Sequence, residues 1–291
     1  MIRSLLLAAT AALVLAAPAA AASKKAAAPP PVAVVPDTPS AGDWRIPDPE
    51  NVLVIDTNKG RIFVELSPLA APNHVQRIKE LTRAGVYDGR TFFRVIDLFM
   101  AQTGDPKDDG TGGSDKPDLA AEFTFRRGTQ TPFQMVADQT VAEIGFIGAL
   151  PVMTQSSMLM PMTADGKIAA WGLYCPGVAG MARAESPDSA NSQFFLMRQA
   201  YPSLEKRYTA FGRVIAGEDA VRAIKVGEPV DAPQDKMTKA QMLADMPAAT
   251  RPKIRVVDPT SAWFKAEVAS VRARMGADFT ACAIRIPSEV K

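Results

Sequence analysis

Arg94 and Gln102 stand eight residues apart in the stretch FFRVIDLFMAQTGDP, residues 92–106, among Phe92, Phe93, Val95, Ile96, Phe99 and Met100. A guanidinium is a permanent, planar donor, and an amide both donates and accepts. At the edge of an apolar surface such a pair can bind a polar group of a ligand while its neighbours hold the hydrocarbon part. The plainer alternative is a strand arginine whose stem lies on the sheet and whose head reaches water. Composition alone leaves both open.

Other chemistries lack their parts. The chain has one histidine, His74, inside a helical stretch beside Val75. A serine or cysteine nucleophile would need it as base; its surroundings suit a surface or boundary helix position instead. One histidine and two distant cysteines do not make a zinc site, so no metal is expected. There is no G-x-S-x-G, Walker A or dinucleotide motif. DGTGG (109–113) has no helix behind it to complete an anion site and reads as a loop bringing backbone close to a neighbour. DPKDD (105–109) lacks an EF-hand pattern and reads as a solvated loop.

These residues need a frame, and the sequence supplies one. VLVIDT, NKG and RIFVEL read as strand, turn and strand, a β-hairpin. In SPLAAPNHVQRIKELTRAG, Pro72 marks a helix start and Gly85 a stop, with Val75, Ile78 and Leu81 on one face. TFFRVI, VAGMARA, SQFFLMR and YTAFGRVIAG are further strands, and GEDAVRAIKVG reads as a helix with an acidic first turn. PKIRVV, at 252–257, reads as a late strand. Residues 231–252 are expected to hold a short helix, and a last helix is expected over Ser261–Met275. Many short strands with two helices indicate a mainly β fold, a closed antiparallel barrel.

The 291 residues are 47% hydrophobic and 22% charged, a globular composition. The net charge of +2 gives no support to nucleic-acid binding. Residues 1–22 read as a signal peptide: Arg3, an apolar run from Ser4 to Leu15, then small residues around Ala19–Ala22. A membrane anchor is the rival, but Pro18 and the terminal alanines favour cleavage, which leaves no stable membrane span. The mature chain is therefore expected to be periplasmic or secreted. Residues 23–45 form an Ala/Pro-rich linker with polyproline character. Export makes disulfides feasible. Cys175 and Cys282 can form one bridge, or remain two separate buried thiols.

The opening stretch resembles a motif of the cyclophilin family of peptidyl-prolyl isomerases, F-x-R-x-I-x-x-F-M-x-Q-x-G-D followed by G-T-G-G. Here these are Phe92, Arg94, Ile96, Phe99, Met100, Gln102, Gly104 and Asp105, then Gly110 to Gly113. GMARAESPDSANSQFFLM and YTAFGRVIAGEDAVRAI are similar to two later family segments, in the same order. The resemblance covers about residues 50–230. It implies an eight-stranded β-barrel capped by two helices, with a closing strand at 253–258, and cis–trans isomerisation of X–Pro bonds without a cofactor. Its substrates would be proline-containing peptides and unfolded or folding exported proteins. Arg94 would be the catalytic arginine. Phe99, Met100, Phe195 and Leu204 would line the proline pocket. Gln102, Ala182, Arg183 and Gln193 would shape the groove that holds the substrate backbone. Ser203 falls where many members carry tryptophan, with Tyr201 nearby to fill the gap. Tyr208 falls where many carry histidine, and would keep an aromatic wall with a hydrogen-bonding hydroxyl.

On the same comparison the cyclophilin-like domain spans 46–259, and 260–291 form a helical C-terminal extension. An insertion lies at about 126–172 and carries Met135, Met153, Met158, Met160 and Met162. It is expected to be a small satellite core on the barrel; its methionines also suit an adaptable client-binding surface. A chaperone or client-binding module with weak isomerase activity is the alternative overall reading.

Overall fold

VLVIDT opens with four consecutive apolar residues because both faces of that strand are covered. Leu53 and Ile55 point into one hydrophobic core, Val52 and Val54 into another. The computed structural model describes residues 35–291. The signal-peptide reading and most of the linker reading lie outside them.

In chain order the strands are β1 (Trp44–Arg45), β2 (Val52–Thr57), β3 (Gly60–Leu66), β4 (Arg94–Ile96), β5 (Met100–Thr103), β6 (Phe125–Arg127), β7 (Gln134–Gln139), β8 (Ala142–Ile147), β9 (Leu150–Gln155), β10 (Ile168–Gly172), β11 (Val178–Met181), β12 (Phe194–Met197), β13 (Ala210–Ala216), β14 (Met237–Met242), β15 (Ile254–Val257) and β16 (Ser288–Val290). The helices are α1 (Pro72–Arg83), α2 (Glu218–Ala223) and α3 (Ala262–Met275), the last capped by the Ser261 side chain. Trp44–Arg45, expected within the linker, is a strand paired with β15.

The principal sheet has eight antiparallel strands in the order β14-β2-β3-β13-β11-β12-β5-β4. It curls around a core of Ile55, Ile62, Val64, Phe92, Phe194 and Phe211, into which α1 inserts Val75, Ile78 and Leu81. The expected barrel closure is not seen, since no ladder joins edge strands β4 and β14. The three-residue β4 is flanked instead by a loop. Val95 and Gly227 exchange backbone hydrogen bonds of 2.8 and 2.9 Å, Val230 N–H donates to the Phe93 carbonyl, and Thr91 and Lys236 form an isolated bridge. The edge groups are thus satisfied without a closing strand.

Two strand expectations are corrected together. Residues 237–242 form β14 rather than a helix, and PKIRVV does not complete the principal sheet. β15 lies instead in a separate three-stranded sheet with β1 and β16. Met-Thr-Lys-Ala-Gln-Met has helix-forming composition, but pairing with β2 from Leu53 to Thr57 overrides that preference.

Residues 125–172, which take in the stretch expected as an insertion, hold a five-stranded sheet, β6-β10-β9-β8-β7. Ile144, Phe146, Leu150 and Val152 share a core with Trp263, Phe264 and Val271 of α3. Phe146 and Phe264 meet edge to face at 5.4 Å. The same core contains Met100, Phe195 and Leu204. The insertion and extension therefore pack directly behind the candidate site. Among the described residues no helix is long and apolar enough to cross a membrane.

Candidate active site

Arg94 and Gln102 occupy directly opposed positions on β4 and β5, so their side chains share one face. Arg94 Nη1 donates to Gln102 Oε1 at 3.2 Å, and Gln102 Nε2 donates to Gln193 Oε1 at 3.0 Å. Gln193 Nε2 in turn donates to the carbonyls of Gly110 and Gly112, at 3.1 and 2.8 Å. The glycine loop is built around Asp105. That buried carboxylate accepts from the amides of Lys107, Asp109, Gly110 and Gly112, at 2.6 to 3.2 Å. The solvated-loop reading therefore fails at Asp105, while DGTGG does bring backbone to a neighbour. A continuous relay of hydrogen bonds runs from Asp105 to the Arg94 guanidinium.

The apolar wall comes from three places. Met100 begins β5, and Phe99 precedes it, its carbonyl accepting from Arg198 N–H at 2.8 Å. Phe195 lies on β12 opposite Gly180 of β11. A Cβ at Gly180 would lie 2.5 Å from the Phe195 ring, so glycine there makes room for it. Leu204 and Tyr208 come from the loop before β13. Together with Arg94, Gln102, Ala182 and Arg183, these residues line one cavity of about 180 Å³. Gln193 stands outside that cavity and lines an adjoining one of about 340 Å³. Gln102, Ala182 and Arg183 line both.

Phe195 is packed from two sides, by the buried Tyr174 ring and by Tyr208, each with its centroid 6.0 Å away. Burial pushes the Tyr174 hydroxyl well above the ordinary tyrosine range. Arg183 stacks over Tyr208 at 4.6 Å, while its Nε donates to the Arg207 carbonyl. Ser203 is exposed and does not line the cavity. Tyr201 lies against Phe99 at 4.4 Å between centroids, so it braces the wall rather than entering the cavity.

An arginine donor beside a small apolar cavity, on these strands, coincides with a match to the family model for cyclophilin-type peptidyl-prolyl cis-trans isomerases over residues 52–245. The chain belongs to this family. It is 36% identical over 213 residues to probable peptidyl-prolyl cis-trans isomerases of Brucella suis and Brucella melitensis, covering 68% of this chain and 85% of theirs. It is also similar to the crystal structure of the cyclophilin AquaCyp293 from Hirschia baltica, with 34% identity and a TM-score of 0.78, covering 85% of this chain and 93% of that one. The fold is thus a cyclophilin fold and the protein a peptidyl-prolyl cis–trans isomerase.

Sequence reasoning missed several residues around the isomerase site. Glu228 Oε1 accepts from Arg94 Nε at 2.6 Å, opposite the Gln102 contact. The two are 134 positions apart, so no local pattern could pair them. Trp171 of the insertion donates to Glu205 at 3.3 Å, and Lys206 sits 3.6 Å above its ring. The insertion thereby supports the loop carrying Leu204 and Tyr208. Burial pushes the Glu205 carboxyl upward, an effect the Trp171 hydrogen bond partly offsets.

His74 is another correction. It is fully buried, and its Nδ1 lies 2.7 Å from Glu122 Oε2. Glu122 also accepts from the backbone amides of Asn73 and His74, so it caps α1, whose N-cap residue Ala71 offers no side-chain bond. The histidine is structural and lines neither cavity.

Proposed function

We propose that Arg94 is the catalytic residue and that the substrate's prolyl ring seats against Phe99, Met100, Phe195, Leu204 and Tyr208. The observation that carries this is that a guanidinium and these apolar side chains line the same small cavity. Amide rotation has a barrier of about 18–20 kcal/mol because it breaks C–N resonance. No bond need be made, so catalysis requires only tighter binding of the twisted amide than of either planar isomer. Each tenfold acceleration takes about 1.4 kcal/mol of that preference.

In the twisted state the prolyl nitrogen regains a lone pair, to which Arg94 donates. The planar amide offers that nitrogen poorly as an acceptor, so the hydrogen bond favours the transition state. The apolar wall holds the ring while the preceding carbonyl turns. Gln102, fixed by Gln193 and the glycine loop, and Glu228 grip the guanidinium at Nη1 and Nε. The remaining nitrogen, Nη2, makes no hydrogen bond among the described residues and stays free for substrate. Ala182 and Arg183 form the rim between the two cavities, so a peptide with proline in one would extend its preceding residues across the other.

Substrates on this reading are proline-containing peptides and unfolded or folding exported proteins, met in the periplasm or outside the cell after removal of residues 1–22. A protease-coupled assay on an Ala-Pro peptide tests the assignment. Wild-type protein should accelerate isomerisation and Arg94→Ala should not. Normal turnover by a folded Arg94→Ala protein would sink it.

A client-binding role beside isomerisation is supported by Met158 and Met162, which are 79% and 82% exposed on the insertion. The insertion shares its core with α3 and the site wall, so deleting it would disturb all three; substitution at its surface is the cleaner test. Met158→Ser with Met162→Ser should slow catalysed refolding of a protein substrate and spare short peptides. Unchanged refolding would refute this role.

A further inference from the structure

On the outer side of β13 a cavity of about 420 Å³ lies between the principal sheet and the C-terminal segment. Its walls come from β13 at Arg213–Ala216, from Gly217 and Glu218 at the start of α2 and Arg222 in its last turn, and from the tail at Cys282–Pro287. The tail lies beyond residue 245, where the family match ends. A disulfide between Cys175 and Cys282 ties the tail down beside Pro176, which also lines the cavity. The cavity therefore forms between a strand and a helix inside the family match and a tail outside it.

Arg213 is the unusual member. It is only 7% exposed, yet its side chain's sole hydrogen bond among the described residues is from Nη1 to the Ala149 carbonyl, at 3.4 Å. No described carboxylate lies within ion-pairing distance of it. The residue opposite it on β3 is Glu65, whose two oxygens already accept from Arg45 at 2.5 and 2.7 Å. Glu65 also accepts from Ala149 N–H at 3.0 Å. Glu218 accepts from Arg222 at 3.2 Å, and Arg285 is paired with Glu267.

A guanidinium keeps its charge even when burial disfavours it, and a buried charge is costly unless an opposite charge meets it. Burial does pull Arg213 downward, and Glu218 only partly offsets the effect. Three arginines and one glutamate thus line a partly enclosed space in which the most buried cation lacks a counter-charge.

We propose that this cavity binds a compact oxyanion, with Arg213 at its floor and Arg222 at its mouth. The shared chemistry is that of inorganic phosphate or sulfate and of a carboxylate such as a peptide C-terminus.

Calorimetric titration of the oxidised full chain tests this, using inorganic phosphate, sulfate and acetate at constant ionic strength, with chloride as the reference. At least one oxyanion should bind saturably where chloride does not. Preference for phosphate or sulfate identifies a free tetrahedral anion, and preference for acetate identifies a carboxylate terminus. Arg213→Gln should weaken binding about tenfold, equivalent to about 1.4 kcal/mol. Arg222→Ala should weaken it by a smaller factor and leave proline-peptide turnover unchanged. Absence of saturable binding by the wild-type chain overturns the proposal whatever the variants do. Should Arg213→Gln fail to fold, undiminished binding by Arg222→Ala overturns it too.

Discussion

Arg94 and Gln102 face each other across β4 and β5, and Arg94 Nη1 donates to Gln102 Oε1 at 3.2 Å. The pairing makes the guanidinium's place in the cavity a property of sheet register: a one-residue slip of β4 would turn it to the opposite face. On the proposed role of Arg94, donation to substrate and orientation of the donor reside in different side chains.

Arg94→Ala should lower kcat/KM by about 10²–10³-fold, the usual cost of removing one donor aimed at transition-state charge. Arg94→Lys should recover little of this. An ammonium retains the charge but cannot contact Glu228, Gln102 and substrate from one rigid plane. The Arg94 side chain is 35% exposed, so both variants should remain folded by circular dichroism. Equal turnover by lysine and arginine enzymes would show that charge alone suffices.

Gln102→Ala should lower kcat by about 5- to 10-fold, in line with the roughly 1 kcal/mol carried by a typical hydrogen bond. Gln193→Ala should produce a smaller loss of the same kind, because it acts one step further from the guanidinium. The double variant should lose less than the product of the two single effects, since both act through the same atom of Arg94. Strict additivity in a double-mutant cycle would break the relay.

Much of this site is legible in the sequence because its parts are local. Arg94, Phe99, Met100 and Gln102 lie within nine residues, and their spacing places them on two adjoining strands. VLVIDT-NKG-RIFVEL likewise carries its own hairpin, with Thr57 pairing to Gly60. What stays hidden depends on distant partners. Residues 237–242 look helical until β2 and Asp88, whose Oδ1 accepts from Ala240 N–H at 2.9 Å, make them a strand. His74 reads as a boundary residue because nothing nearby announces Glu122, 48 positions later. The insertion looks weakly periodic because residues 142–147 of β8 are buried on both faces, which erases alternation.

Stability should fall at acid pH partly through Glu122. Burial raises its pKa, but the bonds from the His74 ring and amide and the Asn73 amide outweigh that and hold it below its ordinary 4.5. A carboxylate lowered in the folded state stabilises the protein above its unfolded value, and that contribution disappears as pH falls through the folded value. Urea midpoints should therefore decline below about pH 4.5. Glu122→Gln should be less stable at neutral pH, with a shallower acid decline. An identical acid slope in both proteins would remove Glu122 from this account.

The Cys175–Cys282 bridge closes a segment of 107 residues, and its two ends belong to the strand connection beside Phe195's packing partner Tyr174 and to the C-terminal extension. Closing so long a loop removes much of the freedom of the unfolded chain, and native disulfides typically contribute about 2–4 kcal/mol. Cys175→Ala with Cys282→Ala should therefore unfold at clearly lower urea than the oxidised protein. Turnover of short proline peptides should be nearly unchanged at moderate temperature, because Arg94, Gln102 and Gln193 are held by the principal sheet and the glycine loop rather than by the tail. A double variant as stable as wild type would show that the core shared by α3 and the insertion fixes the extension unaided. A variant that keeps its stability and loses turnover would instead place the bridge in the support of the Phe195 wall.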